Sequence, residues 1–162
     1  DYGNHNLPGG EVFTAPIIES VRGEVVFDIP LSYKGKEIEN TYLKFEDGVV
    51  TDYDAGKNGE VVGEILSADR GAKSVGELGI GMNRSIDRFT NNILFDEKMG
   101  DTIHIAVGMA YSDTVGKGKR KNESSVHVDM ITDMSKDSYI ELDGELIQVD
   151  GCFVFEAGFK QK

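Results

Sequence analysis

The chain is poor in residues that would staple it covalently or carry it into a bilayer. It has one cysteine, Cys152, so no intrachain disulfide can form. That scarcity points to a reducing compartment. No apolar run approaches the roughly 20 residues that span a membrane. No basic segment followed by an apolar one opens the chain as a secretory signal would. Prolines number 3 against 20 glycines, which predicts many turns and few stiff linkers. Positive charge is also short: 17 basic against 29 acidic side chains give a net charge of -12. A nucleic-acid backbone or an anionic membrane surface is a poor partner for such a chain. Several chemical signatures are missing as well, among them the GxxxxGK phosphate loop, CxxC, HExxH and GxSxG. Gly79-Ile80-Gly81 lacks the third glycine of a dinucleotide fingerprint.

What is present suits one globular domain. The 162 residues are 39% hydrophobic and 28% charged, enough for a core of their own. Asp1-Tyr2-Gly3-Asn4 enters patterned sequence without an initiating methionine, so the N-terminus is expected to be a cut into a longer protein. Short strands punctuated by turns dominate. Residues 23–29 read as a strand bounded by Gly23 and Pro30. Residues 38–45 alternate loosely, turn at Glu46-Asp47-Gly48, and return through 49–53. Val61, Val62, Ile65, Leu66 and Ala68 fall at helical spacing within 60–69. Residues 74–80 read as a buried strand, and Ser85 is expected to cap a short helix through Ile86, Phe89 and Ile93. Two further strands follow, 102–110 around His104 and 125–132 around His127, separated by an exposed basic loop at 114–122. The tail forms a hairpin turned at Asp143-Gly144, then a strand ending near Phe155. The expected class is α+β: a strand-dominated, strongly curled mixed or antiparallel sheet with two or three short helices, its glycines marking bulges.

Carboxylates and histidines stand at four places. Period-2 spacing puts His127 and Asp129 on one strand face, about 7 Å apart at the Cα level. An imidazole nitrogen and a carboxylate oxygen so placed can converge on one cation at about 2.1 Å each. The same pair also fits a plain solvated polar face. His104 sits between Ile103 and Ile105, where a lone histidine is more often a hydrogen-bonded structural residue than a ligand. Tyr111 lies an odd seven residues beyond His104, so a bulge or a kink at Gly108 is needed to bring the two to one face. Glu77 interrupts an apolar glycine-rich stretch, a costly place for a charge unless it is paired or bound to metal; Lys98 and Arg84 are its alternative partners. Glu11 follows a Pro-Gly-Gly turn, and His5 reads as a bystander. Cys152, beside Phe153, Val154 and Phe155, reads as a buried structural thiol. Three acids and two histidines suffice for a paired divalent site, in which two cations about 3.5–4 Å apart activate water and polarise a carbonyl. Mixed nitrogen and oxygen donors suit zinc, cobalt, manganese or magnesium rather than a sulfur-seeking ion.

The motifs Asn6-Leu7-Pro8-Gly9-Gly10-Glu11-Val12-Phe13-Thr14, Gly76-Glu77-Leu78-Gly79-Ile80-Gly81, Leu94-Phe95-Asp96-Glu97-Lys98 with His104, and His127-Val128-Asp129 resemble the M29 family of metallo-aminopeptidases. The resemblance runs in order through essentially the whole chain. It implies two metal ions held by Glu11, Glu77, His104, His127 and Asp129. It also implies catalytic roles for Tyr111 and for one glutamate, Glu77 in first place, as bridging ligand or general base. Peptide substrates, a cytoplasmic location, homodimers and an N-terminal α/β domain ahead of this segment are implied in the same way. Residues 1–162 would then be a single metal-binding catalytic domain, the C-terminal part of a longer chain. Two other readings remain: a mononuclear iron dioxygenase cleaving dihydroxypyridine rings through His104, His127 and Asp129, and a non-catalytic fragment that keeps the fold.

Overall fold

A computed structural model of the chain describes residues 7–156; His5, Asn6 and the first four residues lie outside them. The described residues hold twelve strands, two short α-helices and one 3-10 turn at Ile18–Ser20. The first half builds a frame. Strands β2 (Gly23–Phe27), β5 (Thr41–Glu46) and β6 (Val49–Asp54) form one antiparallel sheet in the order β2-β5-β6, and β3 (Leu31–Tyr33) pairs with β4 (Lys36–Ile38). Alternation decides which side is inside: Thr41, Leu43 and Phe45 of β5 are buried, while the residues between them are less so. The hairpin turns at Asp47-Gly48, both with positive φ, the geometry that two-residue turns with the strand twist require. Helix α1 (Gly59–Leu66) places Val61, Val62, Ile65 and Leu66 against this sheet.

The second half carries the four-stranded antiparallel sheet that matters for function. Its order is β1 (Glu11–Thr14), β7 (Val75–Gly81), β8 (Thr102–Gly108) and β9 (His127–Asp133). One face sends Val75, Val107, Val128 and Met130 into the common core with Phe27, Leu43 and α1. The tail forms a separate sheet of β10 (Tyr139–Leu142), β11 (Glu145–Val149) and β12 (Cys152–Phe153).

The class is α+β and strand-dominated, as the pattern predicts, but the sheet is not strongly curled. The strands divide among four separate antiparallel sheets. The expected bulges exist at Lys44/Phe45, Val75/Glu77 and Ile140/Glu141, yet each bends its strand locally. The helix expected from Ser85 is also absent. Helix α2 covers only Ile93–Asp96 and is capped by Asn92, whose side chain accepts from the Leu94 N–H at 3.2 Å. Short-range polar bonds hold the preceding residues in turns instead: Asn83 Oδ1 takes the Ser85 N–H, and Asp96 Oδ1 takes both the N–H and hydroxyl of Thr90.

A candidate metal centre on the four-stranded sheet

Register assembles the site. Glu11 stands opposite Gly81 and Phe13 opposite Gly79; Gly79 faces His104, Glu77 faces Ala106, and Ala106 faces Asp129. Glu11, Glu77, His104, His127 and Asp129 therefore lie on one face of four adjacent strands, away from the core. Small residues clear the floor beneath them. A Cβ at Gly79 would collide with the His104 imidazole, so the ring can lie flat across β7 only because that position is glycine.

Distances are short. His104 Nε2 lies 3.3 Å from Glu77 Oε1 and 3.5 Å from Glu11 Oε2. His127 Nε2 lies 3.2 Å from Asp129 Oδ2. His127 Nδ1 donates to the Met109 carbonyl at 2.7 Å, which orients the ring and turns Nε2 into the pocket. Two groups of side chains have ligand atoms within 4.8 Å of one another: Glu11, Glu77 and His104, and Glu77, His127 and Asp129. Glu77 belongs to both. Tyr111 closes the pocket, its ring 5.2 Å from that of His127 and 6.4 Å from that of Phe13. The kink that Tyr111 needs is at Gly108, where φ is +97° and the strand ends.

The electrostatics ask for cations. Glu11, Glu77, Glu97 and Asp129 are all buried, and Lys98, fully buried, pairs with Glu11 at 3.1 Å and with Glu97. Neither proposed partner reaches Glu77: Lys98 is engaged as just described, and Arg84 binds Asp101 and Glu156. Among the described residues, Glu77 Oε2 and Asp129 Oδ1 are buried without a hydrogen-bond partner, a costly state unless something else satisfies them. Protons make up part of the deficit. Burial alone would lower the His127 pKa, but the hydrogen bond and charge of Asp129 outweigh it and raise the group to about 9. His104 is likewise raised, against its burial, by the Glu77 hydrogen bond and the charges of Asp129, Glu11 and Glu97. Asp129 is lowered despite burial, chiefly by His127. Buried acids with open lone pairs beside two imidazole nitrogens match the donor set of hard to intermediate divalent ions, so the residues present fit such ions.

Glu97 is the residue that sequence reasoning missed. It lines the pocket with Glu11, Glu77, Tyr111, His127 and Asp129, and burial pushes its carboxyl up. Its signal was the placement of an acid immediately before a lysine in the run Asp96-Glu97-Lys98, but only the fold shows that the two side chains enter the site. Cys152 lies elsewhere, half-buried in β12.

Known proteins resemble this chain over most of its length. Residues 1–158 match the family model described as thermophilic metalloprotease (M29). Aminopeptidase T of Thermus aquaticus is 35% identical over 153 residues, covering 88% of this chain and 37% of that protein. Aminopeptidase AmpS of Bacillus subtilis (strain 168) is 36% identical over 150 residues, covering 84% and 36%. The chain thus spans little more than a third of the length of these relatives. Among solved structures, wild-type AmpT from Thermus thermophilus superposes with a TM-score of 0.75 at 31% identity, over 92% of this chain and 40% of that one. A 2,5-dihydroxypyridine dioxygenase from Pseudomonas putida KT2440 superposes at 0.66 with 17% identity, over 93% and 45%, a likeness of fold alone.

Proposed function

Because the chain belongs to the M29 family of thermophilic metalloproteases, we propose that this pocket is the metal centre of an aminopeptidase that removes N-terminal residues from peptides. The observation that carries the reading is the sharing of Glu77 between the two ligand groups. Glu11 and His104 would hold one divalent cation, His127 and Asp129 the other, with Glu77 bridging them; zinc, cobalt, manganese or magnesium suits the donors. Such cations supply Lewis acidity, polarising the scissile carbonyl and lowering the pKa of water.

The protein's own groups supply the rest. Burial, and then the charges of Glu77 and Asp129, raise the Tyr111 phenol, so it stays protonated and donates a hydrogen bond where negative charge develops on the carbonyl oxygen. Glu97, held up by burial, offers a further carboxyl that can enter a coordination sphere or exchange a proton. Asp113 joins Glu97 on the pocket wall, and its negative charge attracts the free α-ammonium group of a peptide end. An internal peptide segment brings no such charge, which accounts for exopeptidase selectivity.

The test is metal counting on the purified protein. Two divalent ions per chain are expected, and Glu77→Gln is expected to lose both together with turnover of an aminoacyl anilide. A Glu77→Gln variant that kept both ions and full activity would sink the reading. One iron per chain would favour ring cleavage by oxygen instead. Against that alternative, both ligand groups contain Glu77, and neither consists of His104, His127 and Asp129. Residues 1–162 are read as the metal-binding catalytic portion of a longer, cytoplasmic, homodimeric enzyme. Two bound ions without turnover, restored in the full-length protein, would mark a portion that needs the rest of the enzyme.

A further inference from the structure

Among the described residues, the outer edge of β9 carries peptide groups that no other strand uses. β9 is the last strand of its sheet and pairs with β8 on one side. Along a strand, the N–H and C=O of every second residue point to the same side. The Ile131 carbonyl accepts from the Ile29 N–H at 3.3 Å, on the side away from β8. Asp129 and His127, two and four residues earlier, therefore also turn their N–H and C=O away from β8. The opposite parity agrees, since the Val126 carbonyl accepts from the Met109 N–H at 2.7 Å on the β8 side.

The neighbouring chain does not close this edge. It follows β9 through Asp28, whose carboxylate takes the Asp133 N–H at 2.9 Å, and through Ile29. Leu31, two residues beyond Ile29, is the next whose peptide groups could face β9, but it already lies in β3 opposite Ile38, so pairing stops there. The chain then departs into β3 and leaves a cleft of about 420 Å³, with Leu31 and Tyr33 on one wall and Asn92 and Ile93 on another. Ile93, His127 and Asp129 line both this cleft and the metal pocket, so the two adjoin across β9. Asp96 also borders the cleft, but its Oδ1 already accepts two bonds from Thr90. What the cleft offers an occupant is main-chain hydrogen bonding between partly apolar walls.

We infer that this edge docks the main chain of the substrate. An extended peptide adds to the sheet along residues 127–130, pairing its N–H and C=O with those of Asp129, and so carries its scissile bond to the side chains of His127 and Asp129. The inference rests on the aminopeptidase reading and deepens it: the residues that would hold a cation with their side chains position the substrate with their peptide groups. Main-chain pairing is indifferent to side-chain identity, so the preferred substrates are peptides of varied sequence with at least two amides beyond the cleaved residue. An aminoacyl anilide lacks those amides and is expected to show a higher KM.

The test uses the metal-loaded, full-length protein and a tetrapeptide N-methylated in turn at each nitrogen beyond the scissile bond. At least one methyl is expected to cost roughly three- to tenfold in kcat/KM, mostly through KM, the size of one lost hydrogen bond. Hydrogen exchange at the Asp129 amide is expected to slow when an analogue with a reduced scissile bond is added. Every methylated peptide cleaved within about twofold of the parent, with Asp129 exchange unchanged, overturns edge docking while leaving the aminopeptidase reading intact. Failure to cleave either the anilide or the parent peptide overturns both.

Discussion

Lys98 and His127 show how single residues manage an excess of buried negative charge. Lys98 is fully buried between Glu11 and Glu97. Replacing it by methionine leaves two carboxylates without their cation, and breaking a buried pair in this way costs about 3–5 kcal/mol. Lys98→Met is expected to lose that much in denaturant titrations with chelator present and less with zinc, because bound metal offsets the same charge. His127 gives the pH dependence. Its folded pKa is raised from 6.5 to about 9, so it stabilises the metal-free protein fully below about pH 6.5, and that contribution is lost as pH rises through about 9. Metal must displace the same proton, so affinity is expected to rise about tenfold per pH unit up to about 9 and then level off. Opposite slopes for the stability of the metal-free protein and for metal affinity, read by thermal melts and competition titration, check the assignment; parallel slopes contradict it.

Individual elements decide where the side chains point. β8 ends at Gly108, whose φ of +97° turns the chain so that Tyr111 comes beside His127. A Cβ there would strike the Val126 carbonyl, and the conformation itself disfavours any L side chain. Gly108→Ala is expected to destabilise by about 1–3 kcal/mol and to lower kcat, since the kink sets Tyr111 beside His127. Elements with a strong local signal were legible in advance: the hairpins at Asp47-Gly48 and Asp143-Gly144, helix α1, and strands β7, β8 and β9. The segment before α2 was not. Ser85 has the chemistry of a helix cap, but Asn83 and Asp96 capture the nearby N–H groups, and the helix waits for Asn92. Competition between local polar bonds of similar strength leaves little trace in hydrophobic spacing.

At the scale of the molecule, metal and fold are coupled through the four-stranded sheet. Side chains from β1, β7, β8 and β9 meet in one pocket, so ions bound there tie the strands together and act on the folded state alone. Zinc at about a hundred times its dissociation constant is expected to add about 2.7 kcal/mol, or roughly 5–10 °C in Tm for a chain of this size. An unchanged melt on adding chelator to the metal-loaded protein would break this link.

By itself the sequence determined the strand-rich class, the turns, the family and the residue types available for a metal site, because periodicity, turn chemistry and motif order are properties of neighbours along the chain. Only the tertiary structure decided that the strands form four antiparallel sheets, that Glu97 enters the pocket, that Lys98 serves Glu11 rather than Glu77, and that the turn of Leu31 into β3 leaves the β9 edge open. These depend on register between strands far apart in sequence. Register is set by the packing of whole faces, which no local window of residues contains.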